Sequence, residues 1–388
     1  MLLHRLLPGL AVAAAAAALG TAQAAAAPRV ERVSVSSAGA EGDAESGVAA
    51  DRAAAISAGG RFVAFVSAAT DLAPGDPGSG TGVFLRDRER GTTTRLSGDA
   101  GGVEPSISRG GGTVLFASLD ARRRRSLSLY SRSSGATRRL QITRKGVPDR
   151  DLRIVSAVLA ADGRHVAILA GRRDVGQDVR DVTLSVLDRR TGRSRLVLSR
   201  PYDDFSPGLA ISADGRRVAF ATGARLVRGD RDGRGDVYAI DVKTGRRRWA
   251  SRGLKRYCAE PVISGNGRHV AFTSDDDVYV RDLRRGRLRR ATAGGGVASA
   301  PSLSDDGRRV AYQRSPTDVI ADGDGPIGEV EVRDRRTGRT IVASPGGEGR
   351  SGFPALAGSA RVVAFGSAAT GLVAGDANGV PDVFVATF

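Results

Sequence analysis

The sequence LAISADGRRVAFATGARLVRGDRDGRGDVYAIDVKTGRRRWAS, residues 209–251, decides the fold because most of the chain after residue 28 repeats it in variant form. It begins with a short apolar strand, residues 209–212, which we name strand A. The pair Asp214-Gly215 tolerates positive φ and predicts a two-residue type I′ turn into a second strand. Strand B, residues 217–221, carries an apolar run that is too short for a helix and is bounded by turn residues. We therefore expect strand B to be buried.

Two more strands follow in the same segment. Strand C, residues 236–240, leads through the turn Asp241 to Gly245 into strand D, residues 246–251, which is dominated by arginine. In such a turn the aspartate can cap free amides and the glycine can take a left-handed conformation. Four antiparallel strands that become more polar along the chain predict one blade of a propeller, with buried inner strands and an exposed last strand.

The signature of strand B, Gly-x-x-Val-Ala-Phe, recurs in seven copies. Its valines follow one another at a spacing of about 50 residues, with one shorter step, which is typical of propellers and solenoids. A doubly wound α/β fold would need helices between the strands, and no segment has apolar residues at helical spacing. The seven valines are Val63, Val114, Val166, Val218, Val270, Val310 and Val363. The C-to-D turn recurs as Asp-x-x-x-Gly, beginning at Asp87, Asp188, Asp241, Asp282 and Asp334.

The seventh copy ends at Phe388 without a strand D. Residues 32–36 resemble the strand D of other copies and precede the first strand A, so we expect them to pair with residues 382–386 and close the ring. Closure would remove two exposed sheet edges. The predicted fold class is all-β: one seven-bladed β-propeller domain, residues 29–388, of four-stranded antiparallel blades, closed by an N-terminal strand that completes the last blade.

The first 24 residues predict a secretory signal peptide. They combine His4 and Arg5 with an apolar stretch, residues 6–19, and the small-residue sequence Ala22-Gln23-Ala24. The apolar stretch is shorter than a membrane-spanning helix requires. We expect cleavage and export to the periplasm or the extracellular space, with no transmembrane segment elsewhere in the chain.

The copies resemble the WD40-like propeller repeat of the TolB type. In that repeat, Ser-Pro-Asp-Gly-Arg precedes an apolar Val-Ala-Phe strand, and Asp-Val-Tyr or Asp-Val-Phe begins the next strand. Residues 212–220 and 304–312 match the first motif, with Ala213 and Asp305 in place of the proline, and Asp236-Val237-Tyr238 matches the second. The resemblance covers nearly the whole chain after the signal segment. It implies an exported propeller of a kind that mostly binds other proteins or carries an attached catalytic domain.

The net charge of +17 comes almost entirely from arginine, since Lys145, Lys243 and Lys255 are the only lysines. The arginines concentrate in C-to-D turns and in strand D, at the predicted outer rim, where charge protects edge strands. Aromatic residues make up only 5% of the chain, so a groove of stacking rings for nucleic acid is not indicated. We interpret the charge as a solvated rim. An anionic cell-surface polymer is the next alternative, and nucleic acid is the least favoured partner.

No catalytic constellation is evident. His165 and His269 both precede the strand B valine, where Arg217 and Arg309 stand in other copies, so the position is structural. The sequence has no Gly-x-Ser-x-Gly, Cys-x-x-Cys or phosphate-binding glycine loop. Cys258 is the single cysteine, which excludes an intramolecular disulfide, and we expect its side chain to be buried or partly buried.

Two B-to-C loops carry oxygen donors at alternate positions around a glycine. This pattern suits calcium, which takes six to eight hard oxygen ligands. Each loop lacks the terminal bidentate glutamate of a calcium loop, and aspartate, asparagine and glycine also build turns without any metal. Both interpretations stay open, and calcium is the one cofactor that the sequence indicates. The residues are Asp230, Asp232 and Asp236 in the fourth copy and Asp376, Asn378 and Asp382 in the seventh.

The strands alternate in direction, so the A-to-B and C-to-D turns lie at one end of the ring and the B-to-C and D-to-A loops at the other. The second end collects the long, variable segments and the mouth of the channel, and we name it the loop face. Rigid scaffolds carry recognition on such loops. The candidate binding residues, which lie close to the start of a strand A, are Glu104, Arg153, Asp203, Asp204, Phe205, Tyr257, Glu260 and Phe353.

The sequence favours a non-catalytic binding or scaffold propeller, expected to be a monomer, that recognises a protein or cell-envelope partner through the loop face. The alternative is a propeller hydrolase or lyase that acts on polysaccharide, with Asp203, Asp204 or Glu260 as acid and base. Two carboxyl groups about 5–10 Å apart across the channel mouth would favour the enzyme. Scattered, exposed carboxylates would favour the binding protein.

Overall fold

The computed structural model describes residues 27–47, 54–76, 80–99, 101–119, 125–144, 147–148, 152–173, 179–201, 205–316, 328–346 and 349–388. They form seven four-stranded antiparallel sheets and one small two-stranded sheet. The first strand of each blade contacts the first strand of the next, and that of the seventh contacts that of the first, so the ring is closed. The predicted all-β, seven-bladed propeller is confirmed. No helix in these ranges is long and apolar enough to cross a membrane.

The blades follow one another along the chain, and each runs from strand A to strand D. Strand β1 (Arg29–Arg32) precedes the first blade. Blade 1 comprises β2 (Ala54–Ile56), β3 (Phe62–Ser67), β4 (Gly82–Asp87) and β5 (Thr92–Arg95). Blade 2 comprises β6 (Val103–Ile107), β7 (Thr113–Leu119), β8 (Arg125–Ser131) and β9 (Ala136–Arg139), and is followed by the short pair β10 (Thr143–Arg144) and β11 (Val147–Pro148). Blade 3 comprises β12 (Leu152–Leu159), β13 (His165–Arg173), β14 (Val179–Asp188) and β15 (Arg193–Pro201).

The second half of the ring has the same order of strands. Blade 4 comprises β16 (Phe205–Ile211), β17 (Arg217–Thr222), β18 (Asp236–Asp241) and β19 (Arg247–Trp249). Blade 5 comprises β20 (Cys258–Ile263), β21 (His269–Ser274), β22 (Asp277–Asp282) and β23 (Leu288–Arg290). Blade 6 comprises β24 (Val297–Leu303), β25 (Arg309–Ser315), β26 (Glu329–Asp334) and β27 (Thr340–Val342). Blade 7 comprises β28 (Ser351–Leu356), β29 (Val362–Ser367) and β30 (Asp382–Thr387), with β1 as its fourth strand.

The hydrophobic core is divided among the gaps between blades. Strand B is the buried centre of each sheet; in blade 4, for example, Val218, Ala219 and Phe220 have almost no exposed surface. The buried apolar residues of the described chain form seven clusters, and each cluster takes its members from two neighbouring blades. A serial core of this kind lets one ring exceed the size at which a single core stops growing.

The ring closes through β1, which pairs antiparallel with β30 from Arg29 opposite Thr387 to Arg32 opposite Phe384. The partner strand is the predicted one, but the ladder lies earlier in the chain than the expected segment 32–36. Beyond Arg32 the contact continues without regular pairing. The amide of Val33 donates to the Val383 carbonyl at 2.8 Å, and Ser34 bonds to the Asp382 carboxylate at 2.6 Å. The chain turns away there because Val35 forms a bridge with Glu41.

The A-to-B turns are joined to one another around the axis. Seven backbone hydrogen bonds of 2.7–3.1 Å link each turn to the next, and in every case the acceptor is the carbonyl of the second turn residue. The last bond, from the Ser359 amide to the Ala58 carbonyl, returns the series to blade 1. Arg109 and Asp305 form an ion pair between the turns of blades 2 and 6, which are not neighbours in the ring. This end of the propeller is therefore held together across and around the axis.

The predicted type I′ geometry of these turns is wrong. In blade 4 the Gly215 amide donates to the Ser212 carbonyl at 3.0 Å, and only Gly215 has positive φ, at 71°, whereas a type I′ turn needs two such residues. The loop is longer than two residues because Ser212 pairs with Arg217 across it. The Asp214 carboxylate instead accepts hydrogen bonds from the Arg216 amide and the Ser212 hydroxyl. The aspartate therefore stabilises the turn through its side chain and not through a positive φ.

Four arginines at the A-to-B turns have an acidic partner within their own blade. The arginine that follows the A-to-B glycine reaches the aspartate that begins the C-to-D turn. Arg268, for example, donates to Asp282 at 2.7 Å, while the same carboxylate accepts the amides of Arg284 and Arg285. The same pairing occurs in four blades, between Arg61 and Asp87, Arg164 and Asp188, Arg268 and Asp282, and Arg308 and Asp334.

Removing the Ser34 hydroxyl should weaken ring closure. The side chain is fully buried, donates to Asp382 and accepts the Val383 amide at 2.9 Å, so Ser34→Ala leaves two buried polar groups without this partner. We expect the free energy of unfolding in urea to fall by about 1–3 kcal/mol. Ser133→Ala, in an exposed turn of blade 2, is the control and should change it by less than about 0.5 kcal/mol. Equal effects of the two substitutions would contradict the closing role of Ser34.

The arginine–aspartate pairs predict a pH dependence. Burial raises the pKa of Asp334, but the hydrogen bond from Arg308 and the amides of Arg336 and Thr337 outweigh it and lower that pKa from 3.8 to about 2. A lowered folded-state pKa stabilises the fold above the unfolded value and loses this contribution as the pH falls through about 2. Arg308→Gln should therefore destabilise the protein at pH 5, with the difference from wild type shrinking steadily below pH 4. A difference that is constant between pH 5 and pH 2 in urea unfolding would show that the charge of Asp334 is not involved.

Candidate binding face

The innermost strand of five blades contains a bulge beside a proline. Each bulge begins at the second, third or fourth residue of its strand, which starts at the loop face. Proline cannot donate to a sheet ladder, so it is tolerated in a sheet at an edge or a bulge. At each of these sites the register shifts so that two residues lack an opposite partner. The bulged pairs are Glu104-Pro105, Pro207-Gly208, Glu260-Pro261, Ala300-Pro301 and Phe353-Pro354.

Four of the bulges hold a non-glycine residue in the left-handed region. The φ angles are 55° at Glu104, 49° at Glu260, 49° at Ala300 and 52° at Phe353. Such a backbone costs of order 1 kcal/mol per residue and persists only where the surroundings enforce it. The sequence predicts Glu104, Glu260 and Phe353 as binding residues but does not predict the bulges that contain them. The prolines that follow them were the available signal.

The bulges of blades 4, 5 and 6 contact one another. A side chain at Gly208 would lie 2.6 Å from the ring of Pro261, so the glycine permits a close approach between blades 4 and 5. The Glu260 carboxylate accepts the Ala300 amide at 2.8 Å, which joins blades 5 and 6. The left-handed conformation of Ala300 thus presents its amide to the neighbouring blade. These three bulges form a continuous rim around part of the inner ring.

Two other predicted residues lie in blades 2 and 3. The Glu104 carboxylate accepts a hydrogen bond of 2.6 Å from Arg125, and the same guanidinium donates to the Val155 carbonyl of blade 3 at 3.1 Å. Arg153 is half-buried in β12, opposite Gly171. Arg125 therefore forms an ion pair with Glu104 and at the same time links blade 2 to blade 3.

Tyr257 and Phe353 differ in exposure. Tyr257 is 55% exposed, and its ring lies so close to Gly235 that a Cβ there would be 2.4 Å from the ring. Phe353 is half-buried, beside Gly352, whose missing side chain makes room for the buried amide of Gln313. Of the pair, Tyr257 presents the larger apolar surface on the loop face, next to the acidic loop of blade 4.

Asp203 and Asp204 lie outside the described residues, so their predicted role stays a prediction. Phe205 begins β16, where its backbone pairs with Thr222.

The acidic loop of blade 4 brings its three predicted ligands together. One carboxylate oxygen each of Asp230, Asp232 and Asp236 lies within 4.8 Å of the others. Asp230 and Asp236 are 4% and 3% exposed, whereas Asp232 is exposed. Burial raises the pKa of Tyr238, and the hydrogen bond that its hydroxyl donates to Asp230 raises it further. Burial also raises the pKa of Asp236, against the hydrogen bonds that it accepts from Ser251 and Trp249.

The acidic loop of blade 7 has a different arrangement. The Arg32 guanidinium lies 3.6 Å from Asp376 and 3.4 Å from Asp382, and it also pairs with Glu41. The Asn378 side chain donates to the Gly42 carbonyl at 3.0 Å. Burial raises the pKa of Asp382 to about 6, although Ser34 and Arg32 act in the opposite direction. A guanidinium thus bridges two of the three residues that were predicted to hold calcium here.

The histidines lie at the opposite end of the ring from the loop face. The rings of His165 and His269 are in close contact with Gly215 and Gly307, the A-to-B glycines of the next blades. Burial and the charge of Arg335 lower the pKa of His269. Their shared position is therefore a packing contact between blades. Cys258 is fully buried, as predicted, and burial raises its pKa to about 11.

A basic cleft of about 420 Å³ lies on the rim between blades 4 and 5. Arg246 and Arg248 line it beside Trp249 and Leu283. Burial lowers the pKa of Arg248, and repulsion by Arg246 and Arg217 lowers it further. Here the positive charges are concentrated without an equal number of acids among the lining residues, unlike the arginines of the A-to-B turns, which pair with aspartates.

Substitution by glycine should cost less stability at a bulge than at other positions of strand A. Ala300→Gly relieves a left-handed alanine, so we expect the free energy of unfolding to stay unchanged or to rise by up to about 1 kcal/mol. The control is Ala298→Gly, a buried position of the same strand without positive φ, which should lose about 1 kcal/mol. Urea unfolding of both variants checks the prediction. An equal loss in both would contradict strain at the bulge.

No protein-family model matches the chain. Two curated proteins are similar over a short segment. A putative tricorn-like protease N-terminal subunit from Sulfurisphaera tokodaii is 48% identical over 59 residues, which are 15% of this chain and 29% of that protein. A tricorn protease homolog from Saccharolobus solfataricus is 41% identical over 59 residues, 15% of this chain and 5% of that protein. The matches thus span less than a third of each relative.

Solved structures share the fold over most of the chain. An oligogalacturonate lyase in complex with manganese has a TM-score of 0.60 at 14% identity, covering 92% of this chain and 93% of that one. The β-propeller domain of the Trilobed protease from Pyrococcus furiosus has a TM-score of 0.58 at 11% identity, covering 86% and 91%. A putative TolB from Agrobacterium tumefaciens has a TM-score of 0.46 at 17% identity, covering 76% and 94%. The two likenesses with a TM-score above 0.5 show the propeller fold that the TolB-like repeats predict.

Proposed function

We propose that the chain is an exported binding propeller that recognises a protein or cell-envelope partner through its loop face. The observation that carries the proposal is the set of left-handed residues at Glu104, Glu260, Ala300 and Phe353. Strained backbone tends to be kept where it is used, and these four residues lie towards the same face. They would give a partner a rigid, preorganised rim, which lowers the entropic cost of binding.

The difference between the two ends of the ring supports the choice of face. One end consists of tight turns joined by hydrogen bonds and by the Arg109–Asp305 pair. The loop face carries the longer connections and the exposed side chains of Tyr257 and Glu260. Recognition is most often carried by loops that a rigid scaffold positions.

Export is supported by the N-terminal sequence. Residues 1–24 have the charged start, apolar centre and small-residue end of a signal peptide. They lie outside the described residues.

A hydrolase or lyase acting on polysaccharide is the second candidate. The neighbours include an oligogalacturonate lyase, but at 14% identity the likeness concerns the fold. Glu104 is held by Arg125 and Glu260 by the Ala300 amide, on blades that are not neighbours. Such engaged carboxylates favour binding over acid–base catalysis, for which two carboxyl groups must face one scissile bond.

A capture experiment tests the proposal. Tagged protein, residues 25–388, is incubated with an envelope fraction of the producing cells, and captured material is quantified by mass spectrometry. The variant Tyr257→Ala/Glu260→Arg changes two exposed residues of the loop face and should reduce capture at least about tenfold, as loss of a hot spot does. The control Glu89→Ala/Arg90→Ala lies in a C-to-D turn at the other end and should leave capture unchanged.

Two results would count against a binding role for this face. One is capture that survives the loop-face substitutions. The other is release of new reducing or unsaturated sugar ends when the same protein is incubated with envelope or plant polysaccharides, because this would favour the enzyme. Capture that depends on Arg246 and Arg248 and disappears with salt would move the site to the basic cleft.

A further inference from the structure

Three B-to-C loops of the ring share a motif that ends in a buried or ion-paired aspartate. The motif is Leu-x-x-Gly-Asp, and it occurs at residues 72–76 in blade 1, 226–230 in blade 4 and 372–376 in blade 7. The three copies therefore place a carboxylate at the same point of the loop. What differs among them is the side chain of strand D that lies beside this carboxylate.

The equivalent positions of strand D can be assigned from a shared serine. Ser97, Ser251 and Ser34 each accept the amide of the second residue of strand C, at 2.9–3.0 Å, from Val83, Val237 and Val383 respectively. Two residues before these serines stand Arg95 in blade 1, Trp249 in blade 4 and Arg32 in blade 7. These three residues thus occupy one structural position.

In blades 1 and 7 the residue at this position neutralises the loop. Arg95 forms a buried ion pair with Asp76, and Arg32 lies within 3.6 Å of both Asp376 and Asp382. The guanidinium is a cation that the fold itself supplies to a buried acidic pocket. Because two copies contain this guanidinium, the acidic pocket requires a positive charge.

Blade 4 has three carboxylates in this loop, and its strand D supplies no such cation. Trp249 replaces the arginine, and its indole donates to Asp236 at 2.8 Å without adding charge. Asp230 is only 4% exposed, and its Oδ1 has no hydrogen-bond partner among the described residues. Among the residues that the structure describes, no arginine or lysine forms an ion pair with Asp230, Asp232 or Asp236. The flanking Arg234 donates instead to the Lys255 carbonyl.

Two buried carboxylates beside a third, without a counter-charge, are unfavourable unless a cation joins them. We propose that Asp230, Asp232 and Asp236 bind a Ca²⁺ ion in blade 4, in the place where blades 1 and 7 have a guanidinium. The donors are all oxygens, and Gly233 turns the loop with φ 64°. Calcium accepts irregular sets of six to eight oxygens and keeps water where the protein supplies fewer, whereas magnesium demands near-ideal octahedral geometry. Three carboxylates suit the weak affinity of extracellular calcium modules.

The tryptophan beside the three carboxylates allows metal binding to be followed by fluorescence. Trp249 is the only tryptophan of the chain and is hydrogen-bonded to Asp236. An ion at the three carboxylates changes the charge beside the indole, so tryptophan fluorescence should change on binding. Binding also ties the B-to-C loop to strands C and D, so the melting temperature should rise.

The experiment uses the full mature protein after removal of metal with a chelator. We expect CaCl₂ to change tryptophan fluorescence and to raise the melting temperature saturably, with a dissociation constant on the order of 10⁻⁴–10⁻³ M. Asp230→Asn should weaken binding at least tenfold. The matched control Asp376→Asn removes the same loop aspartate from the arginine-paired copy in blade 7 and should leave the fluorescence response unchanged.

A second variant gives an independent result if Asp230→Asn folds poorly. Trp249→Arg introduces the residue of blades 1 and 7, so it should fold and should no longer be stabilised by CaCl₂ in thermal melts. The proposal is overturned if CaCl₂ has no effect on the wild-type protein, if MgCl₂ gives the same response at the same concentration, or if the melting temperature of Trp249→Arg still rises with CaCl₂. It is equally overturned if Asp376→Asn abolishes the fluorescence response.

Discussion

The structure depends on a closed circle of backbone hydrogen bonds between neighbouring A-to-B turns. Each bond ends at the carbonyl of the second residue of the next turn, and Ser359 returns the series to Ala58. Because seven turns must meet at one end, all of them are tight, and each has a left-handed residue in fourth place, glycine in six blades and Ala360 in the seventh. Every longer connection then falls at the other end. The distinction between a closed end and a loop face follows from this constraint.

Closure matters because no blade buries its own faces. Each of the seven core clusters takes residues from two blades, so an open ring would expose two apolar sheet faces as well as two edges. Blades 7 and 1 are accordingly joined at two distances from the axis. The Ser359–Ala58 bond joins them at the inner turns, and β1 completes the outer part of blade 7 while Val33 packs into the cluster shared with blade 1.

The repeat made the architecture predictable, because a valine in strand B and the Asp-x-x-x-Gly turn can be recognised one copy at a time. The register of β1 was not predictable in the same way: Val33 and Val35 are buried like strand residues, yet the ladder lies before them. The sequence does not predict the bulges although a proline marks all five of them, since their effect on φ depends on the partner strand. The hydrogen-bond partners of Glu104 and Glu260 were not predictable either, because Arg125 and the Ala300 amide lie elsewhere in the sequence.

Comparison among the blades shows where one copy departs from the others while the backbone stays the same. Ser34, Ser97 and Ser251 fix strand D against strand C by the same bond, so the residue two places earlier always lies beside the acidic loop. The sequence resemblance already groups residues 32–36 with the D strands, but only the fold shows that Arg32 lies beside Asp376 and Asp382 of blade 7. Once the fold places it there, the exchange of arginine for Trp249 becomes a change of charge at a constant geometry. In a repeat protein the scaffold tolerates such an exchange, since the neighbouring blades and the serine bond hold the strand in place whichever side chain it carries.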